Sequence, residues 1–278
     1  MPLRKILAYA AVLLFFSCPP AWAETLTLAT TTSTQDTGLL DVMAPAFKKD
    51  TGIDLKWVAV GTGKALELGK NCDADVLLVH APKAEEEYVA QGYGVGRKQF
   101  MYNDFVLVGP PSDPAGIKGK SAAEALSIIA GKKAAFVSRG DESGTHKAEK
   151  ELWQTAGLPV PTGKAESRGA WYIQAGQGMM STLTMAFEKN GYTLADRGTF
   201  IKFEATDRGK GLVVLVEGDP SLRNVYSAMM VNPEKCPSVK KEAAEKFVAW
   251  WSSPSAEALV RGFTLGGKPL FFLLSDEK

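Results

Sequence analysis

Three stretches of this sequence place hydroxyls, glycines or an arginine between a strand-like run and a helix-like run. The first is Ala29-Thr30-Thr31-Thr32-Ser33-Thr34. Its hydroxyls are hydrogen-bond donors, and the helix that follows offers free N-terminal amides. An ordinary helix cap needs one such residue, so the cluster exceeds a structural requirement. The second is Val60-Gly61-Thr62-Gly63, where two glycines let backbone approach a ligand, although the same tripeptide also makes common tight turns. The third is Ser138-Arg139-Gly140-Asp141-Glu142-Ser143-Gly144-Thr145-His146. Arg139 can present a planar fork of donors to an oxyanion, while Ser143, Gly144 and Thr145 supply hydroxyls and amides at a helix start. The competing reading is a surface turn with Arg139 paired to Asp141 or Glu142. Three donor-rich helix starts describe a cleft for a small anion, which dipoles, amides and hydroxyls can neutralise without a large excess of positive charge.

Other chemistries fit less well. His80 and His146 are the only histidines, far apart and without a carboxylate or cysteine ligand pattern, so structural roles are expected rather than metal binding. Ser143, His146 and Asp141 are the residue types of a hydrolase. No G-x-S-x-G elbow is present, and three residues within six positions at a helix start do not readily form a nucleophile-base line. Catalysis is not expected, and without a P-loop the chain hydrolyses no ATP itself. The net charge of +1 includes Arg4 and Lys5 of the leader, so the remainder is near neutral, which argues against nucleic-acid or membrane-surface binding.

The elements that must position these loops alternate between strand and helix. Thr25–Leu28, Ile53–Val60 and Asp75–Val79 read as strands. Leu39, Leu40, Met43, Ala46 and Phe47 recur at helical spacing, with Gly52 where a C-cap belongs. Short connections between such units predict a mainly parallel sheet covered by helices. The grammar restarts at the Ser121/Glu124 capping box, continues through strand Ala134–Val137 and helix Ser143–Ala156, and reaches helix Gly178–Asn190. In the last helix Met179 and Met180 read as core. Two extended runs, Phe100–Gly109 and Val225–Val231, read as crossovers between two α/β lobes. Helices Val239–Trp251 and Pro254–Gly262 are expected to pack back on the first lobe. The lobes are thus expected at 24–105 with 225–278, and at 106–224.

Residues 1–23 read as a cleaved signal peptide: a basic start, an apolar run from Ile6 to Phe16, and Ala21-Trp22-Ala23 before the cut. Lipid attachment at Cys18 is the rival, and Phe15-Phe16-Ser17 suits it poorly. Cys72 and Cys236 are left either as one disulfide or as two buried thiols.

The Arg139–Thr145 loop looks like the R-x-D-x-S-G-T loop of periplasmic phosphate-binding proteins. Four stretches are closer to the tungstate-binding proteins of ABC importers: Thr30–Ser33, Ser138–His146, Asp75-Val76-Leu77-Leu78-Val79-His80, and Tyr192–Thr199. The resemblance implies a type II periplasmic binding fold with two lobes, a two-strand hinge and a ligand between them. It implies that Thr32, Ser33 and Thr62 bind from one lobe and Arg139, Ser143 and Thr145 from the other. Gly63 and Gly144 would add amides, and Thr31 is a neighbour. It implies a monomeric periplasmic protein without a cofactor, delivering an oxyanion to a membrane permease. Arg139 favours tungstate over molybdate by family pattern, and Asp141 keeps phosphate in view. Asp141 is expected to turn outward or pair with Arg139.

Overall fold

Strand β1 (Thr25–Thr31) begins the first lobe, with Leu26 and Leu28 fully buried on its core face. A short helix, α1 (Thr32–Asp36), leads into α2 (Leu39–Thr51), which buries Leu39, Leu40, Met43 and Phe47 along one stripe. Gly52 ends it at φ 75°, a left-handed cap that glycine adopts without a Cβ clash. β2 (Asp54–Val60) pairs in parallel with β1 along its whole length. Helix α3 (Thr62–Lys70) returns the chain to β3 (Val76–Val79), which is buried throughout and lies parallel on the other side of β1. α4 (Pro82–Ala90) follows with proline in its first turn, where no amide bond is lost. The computed structural model describes residues 24–161 and 169–276, so the expected signal peptide and Cys18 lie outside the described residues.

β4 (Gly94–Gly109) is the element that leaves this lobe. The second lobe then contains α5 (Ala122–Lys132), β5 (Phe136–Ser138), α6 (Gly144–Thr155) and β6 (Tyr172–Gln174). It continues with α7 (Met179–Glu188), β7 (Thr193–Asp196), α8 (Arg197–Glu204) and β8 (Val213–Val216). The Ser121/Glu124 capping box is formed at the start of α5. β9 (Arg223–Val231) carries the chain back, and α9 (Lys241–Trp250) and α10 (Pro254–Gly262) pack on the first lobe. There Phe47 meets Phe247 and Trp250 edge-on at 5.6 and 5.4 Å.

The first-lobe sheet runs β2-β1-β3-β9-β4, with Phe272–Leu273 at its edge. β9 is antiparallel to both β3 and β4. Residues Gly94–Asp104 of β4 belong to this sheet, and Phe105–Gly109 pair instead with β7 and β8 of the second lobe. The lobes are therefore joined at Asp104–Phe105 and at Leu222–Arg223. Both crossover strands start earlier than the sequence suggests, at Gly94 and Arg223. For β4 the reason is polarity: Arg97 turns to the buried Glu85 carboxylate and Lys98 and Gln99 are exposed, so this paired stretch carries no apolar alternation to mark it. One apolar cluster fills the first lobe, joined by Ile201 from α8. Two others flank the sheet of the second.

Cys72 and Cys236 form a disulfide with Cα atoms 5.3 Å apart, inside the bridging range. It ties the end of α3 to the approach to α9, and every residue of the second lobe lies between its ends. At the hinge, Arg197 at the start of α8 donates to both carboxylate oxygens of Asp104 at 2.6 and 2.5 Å. Among the described residues no helix is long and apolar enough to cross a membrane.

Candidate functional site

The first residues of five helices line one cleft of about 350 Å³ between the lobes. From the first lobe come Thr32 and Ser33 of α1 and Thr62 of α3. From the second come Gly144 and Thr145 of α6, Met179 to Ser181 of α7, and Gly198 and Thr199 of α8. The ends differ in how their free amides are satisfied. Thr31 caps α1 by accepting the Thr34 amide, Ser143 caps α6 by accepting that of His146, and Asp196 caps α8 by accepting that of Thr199. α3 and α7 begin after Gly61 and Gly178, which have no side chain to cap with. Their first-turn amides are thus left for whatever fills the cleft.

Arg139 follows β5 and enters the cleft wall, where its Nη1 donates to the Thr145 hydroxyl at 3.3 Å. Its Nε donates to Asp141 at 2.9 Å, and the other Asp141 oxygen accepts the Ser143 amide at 3.1 Å. Burial works to raise the Asp141 pKa, but the Ser143 hydroxyl and amide and the Arg139 guanidinium outweigh it and hold the carboxyl below its ordinary value. Asp141 does not line the cleft. It pairs with Arg139, as expected, and braces the guanidinium from behind. The Arg139 carbonyl also accepts the Gly176 amide at 2.9 Å, tying this loop to the one before α7.

Gly140 makes the turn possible at φ 63°, and a Cβ there would sit 3.0 Å from the Gln174 Cβ. Gly140→Ala should therefore cost about 1–2 kcal/mol of stability from the left-handed backbone alone. It should also weaken anion binding by displacing Arg139. Paired melting and titration curves check both, and an unchanged protein would contradict this account of the loop.

The hydrolase arrangement is not assembled. The His146 Nδ1 accepts the Glu142 amide at 3.0 Å, and the Ser143 hydroxyl accepts the amide, not the ring, of His146. Beneath the loop Glu149 is buried, accepting from the Tyr172 hydroxyl at 2.6 Å and the Trp153 indole at 3.2 Å. Burial pushes its pKa up, against the pull of those bonds. Among the described residues no group of three or more His, Cys, Asp and Glu could hold a metal ion.

Of the residues named from sequence, Thr31, Thr32, Ser33, Thr62, Arg139, Ser143, Gly144 and Thr145 all line the cleft. Gly63 does not: it lines a smaller pocket with Leu66 and Lys70. A helix turns about 100° per residue, so with Thr62 facing the cleft the Cα of Gly63 faces away and Gly61 lines the cleft, while the Gly63 amide is still one of the first-turn amides of α3 that the helix itself does not use. Met179 is core, but Met180 is 41% exposed and stands in the cleft wall, contrary to expectation. The start of α7 escaped the sequence reading. Ala175-Gly176-Gln177-Gly178, small residues between strand and helix, was the available signal. Two contacts bridge the cleft rim: Lys83 to Glu151 at 3.0 Å, and Lys202 of α8 donating to the Asp36 carbonyl of α1.

A sequence profile described as a PBP (periplasmic binding protein) superfamily domain matches residues 19–255. The tungstate-binding protein TupA of Campylobacter jejuni is 47% identical over 242 residues, spanning 87% of this chain and 88% of that protein. That of Peptoclostridium acidaminophilum is 48% identical over 249 residues, spanning 88% and 84%. The solved structure of the tungstate-binding protein TupA from Desulfovibrio alaskensis G20 matches with a TM-score of 0.84 and 56% identity, covering 90% of this chain and 99% of that one. With its sheet order, its two crossing strands and relatives near half identity along most of its length, the chain belongs to the PBP superfamily, type II fold, and within it to the family of tungstate-binding solute-binding proteins of ABC importers.

Proposed function

We propose that this protein captures tungstate in its interlobe cleft and hands it to the membrane permease of an ABC importer. The observation that carries this reading is the meeting of helix starts from both lobes around Arg139, whose carboxylate partner is held outside the cleft. Thr31, Thr32, Ser33 and Thr62 would act from one side, with Arg139, Ser143, Gly144 and Thr145 from the other. A fully ionised oxyanion brings only acceptors, and this wall is rich in donors. In a phosphate site the aspartate of the R-x-D-x-S-G-T loop would accept a proton from the ligand. Here Asp141 accepts from Arg139 and Ser143 instead, which favours an anion carrying no proton.

Capture follows from the hinge. A cleft of about 350 Å³ equals on the order of ten water volumes, more than one tetraoxo anion occupies. The anion engages donors of one lobe, and rotation about the crossings at Asp104–Phe105 and Leu222–Arg223 brings in the other set and expels water. Drying the site strengthens each charge-assisted hydrogen bond. An ion of the wrong size leaves buried donors unpaired. No catalytic step and no cofactor enters this scheme, and the protein works as a periplasmic monomer.

Isothermal titration of the dialysed mature protein tests the reading. One tungstate should bind per chain, with molybdate as the nearest competitor and sulfate and phosphate far weaker. Preferential phosphate binding would replace the ligand while keeping the site, and absence of any oxyanion binding would refute the proposal.

A further inference from the structure

His80 follows β3 at the cleft wall and belongs to none of the three loops. Its Nε2 lies 3.0 Å from the Thr31 hydroxyl and 3.0 Å from that of Ser33, both on the cleft. Its Nδ1 lies 2.8 Å from the Asn224 side-chain oxygen. The Asn224 amide in turn donates to the Asn103 oxygen at 2.7 Å, and the Asn103 amide donates to the Tyr226 hydroxyl at 3.3 Å. The Tyr226 ring stacks on the imidazole with centroids 4.7 Å apart. Asn103 sits on β4 and Asn224 on β9, each within two residues of a lobe crossing. One ring therefore connects the anion-facing hydroxyls to both hinge strands.

The direction of these bonds fixes the tautomer. The Asn224 oxygen can only accept, so Nδ1 carries a proton and the neutral ring presents a lone pair at Nε2. That lone pair takes a hydroxyl proton from Thr31 or Ser33, which then cannot point at an anion, since each hydroxyl has one proton. Burial favours this neutral form, with the Asn224 bond and the Asp196 carboxylate opposing it. Asp196, from the junction of β7 and α8, and Tyr226, from β9, are the titratable groups facing the ring. α6 faces it with Gly144, and β1 and α1 with the two hydroxyls.

We propose that His80 is a positioning residue that takes a proton from solvent as the anion binds, turning Nε2 from acceptor into donor and freeing whichever of the Thr31 and Ser33 hydroxyls had donated to it to point its O–H into the cleft. The proposal rests on the oxyanion reading of the cleft and adds a proton to it. An anion beside the ring stabilises the imidazolium, and by reciprocity protonation tightens anion binding. Affinity should then rise as pH falls, by up to about tenfold per pH unit, the limit for one linked proton.

The test is tungstate titration of the wild-type protein near pH 7.5 in buffers of different ionisation enthalpy. Uptake on the order of one proton per anion is expected. His80→Gln, which can hydrogen-bond but not titrate, should bind more weakly and lose both uptake and pH slope. His80→Phe keeps the stack on Tyr226 without the hydrogen bonds and should bind more weakly still. Tight wild-type binding with no proton exchange would overturn the role of His80 and leave tungstate capture standing. Undiminished uptake in His80→Gln would also overturn it, assigning the proton elsewhere. Failure of the wild type to bind tungstate would instead remove the functional reading beneath it.

Discussion

Arg139→Ala should weaken tungstate binding by two to three orders of magnitude while leaving the fold intact. A charged hydrogen bond contributes about 1.5–3 kcal/mol, and the guanidinium offers more than one donor to an anion in a closing, drying site. About 3–4 kcal/mol is lost on that basis, and each 1.4 kcal/mol is tenfold in affinity. The Ser143 cap and the Gly176 backbone bond do not need the side chain, so the loop should persist. Arg139→Lys should fall between the two, because a point charge replaces a fork held from behind by Asp141. Titration with a melting curve as the fold control checks this. Affinity within threefold of wild type in the alanine variant would take Arg139 out of the site.

Breaking the Cys72–Cys236 bridge should have the largest effect on stability and almost none on affinity. The bridge closes a loop of 164 residues, and the chain-entropy account assigns such a loop about 5 kcal/mol. At roughly 2–4 °C per kcal/mol for a protein of this size, the melting temperature should fall by on the order of 10 °C. Both cysteines lie in the first lobe, away from the cleft, so tungstate affinity at room temperature should be unchanged. Calorimetry with and without reductant, or on Cys72→Ala/Cys236→Ala, provides the measurement. A shift under 2 °C would mean that the unfolded chain gains little freedom when the bridge opens.

The cleft was more legible than the fold's joints. Its loops are local: Thr30–Thr34 and Ser138–His146 each hold donors, strand end and helix start within a few residues. Gly61 and Gly63 could not be told apart, because which of them lines the cleft depends on where α3 begins, and a one-residue shift turns a position through about 100° around the helix. Cys72 and Cys236 allowed a bridge, but only the packing of α3 against the segment before α9 brings their Cα atoms to 5.3 Å. The polar chain behind His80 was invisible for a related reason. Asn103 and Asn224 are 121 residues apart, and nothing in either neighbourhood names the other. Met180 read as core because a methionine beside a buried methionine carries no mark of the face it occupies.

The most direct measurement is anomalous diffraction at a tungsten absorption edge from crystals grown with tungstate. One strong peak is expected between the lobes, with its oxygens in hydrogen-bond reach of Thr62 on one side and of Arg139 and Thr145 on the other. A peak outside this cleft, or contacts confined to one lobe after the lobes have closed, would contradict capture between them.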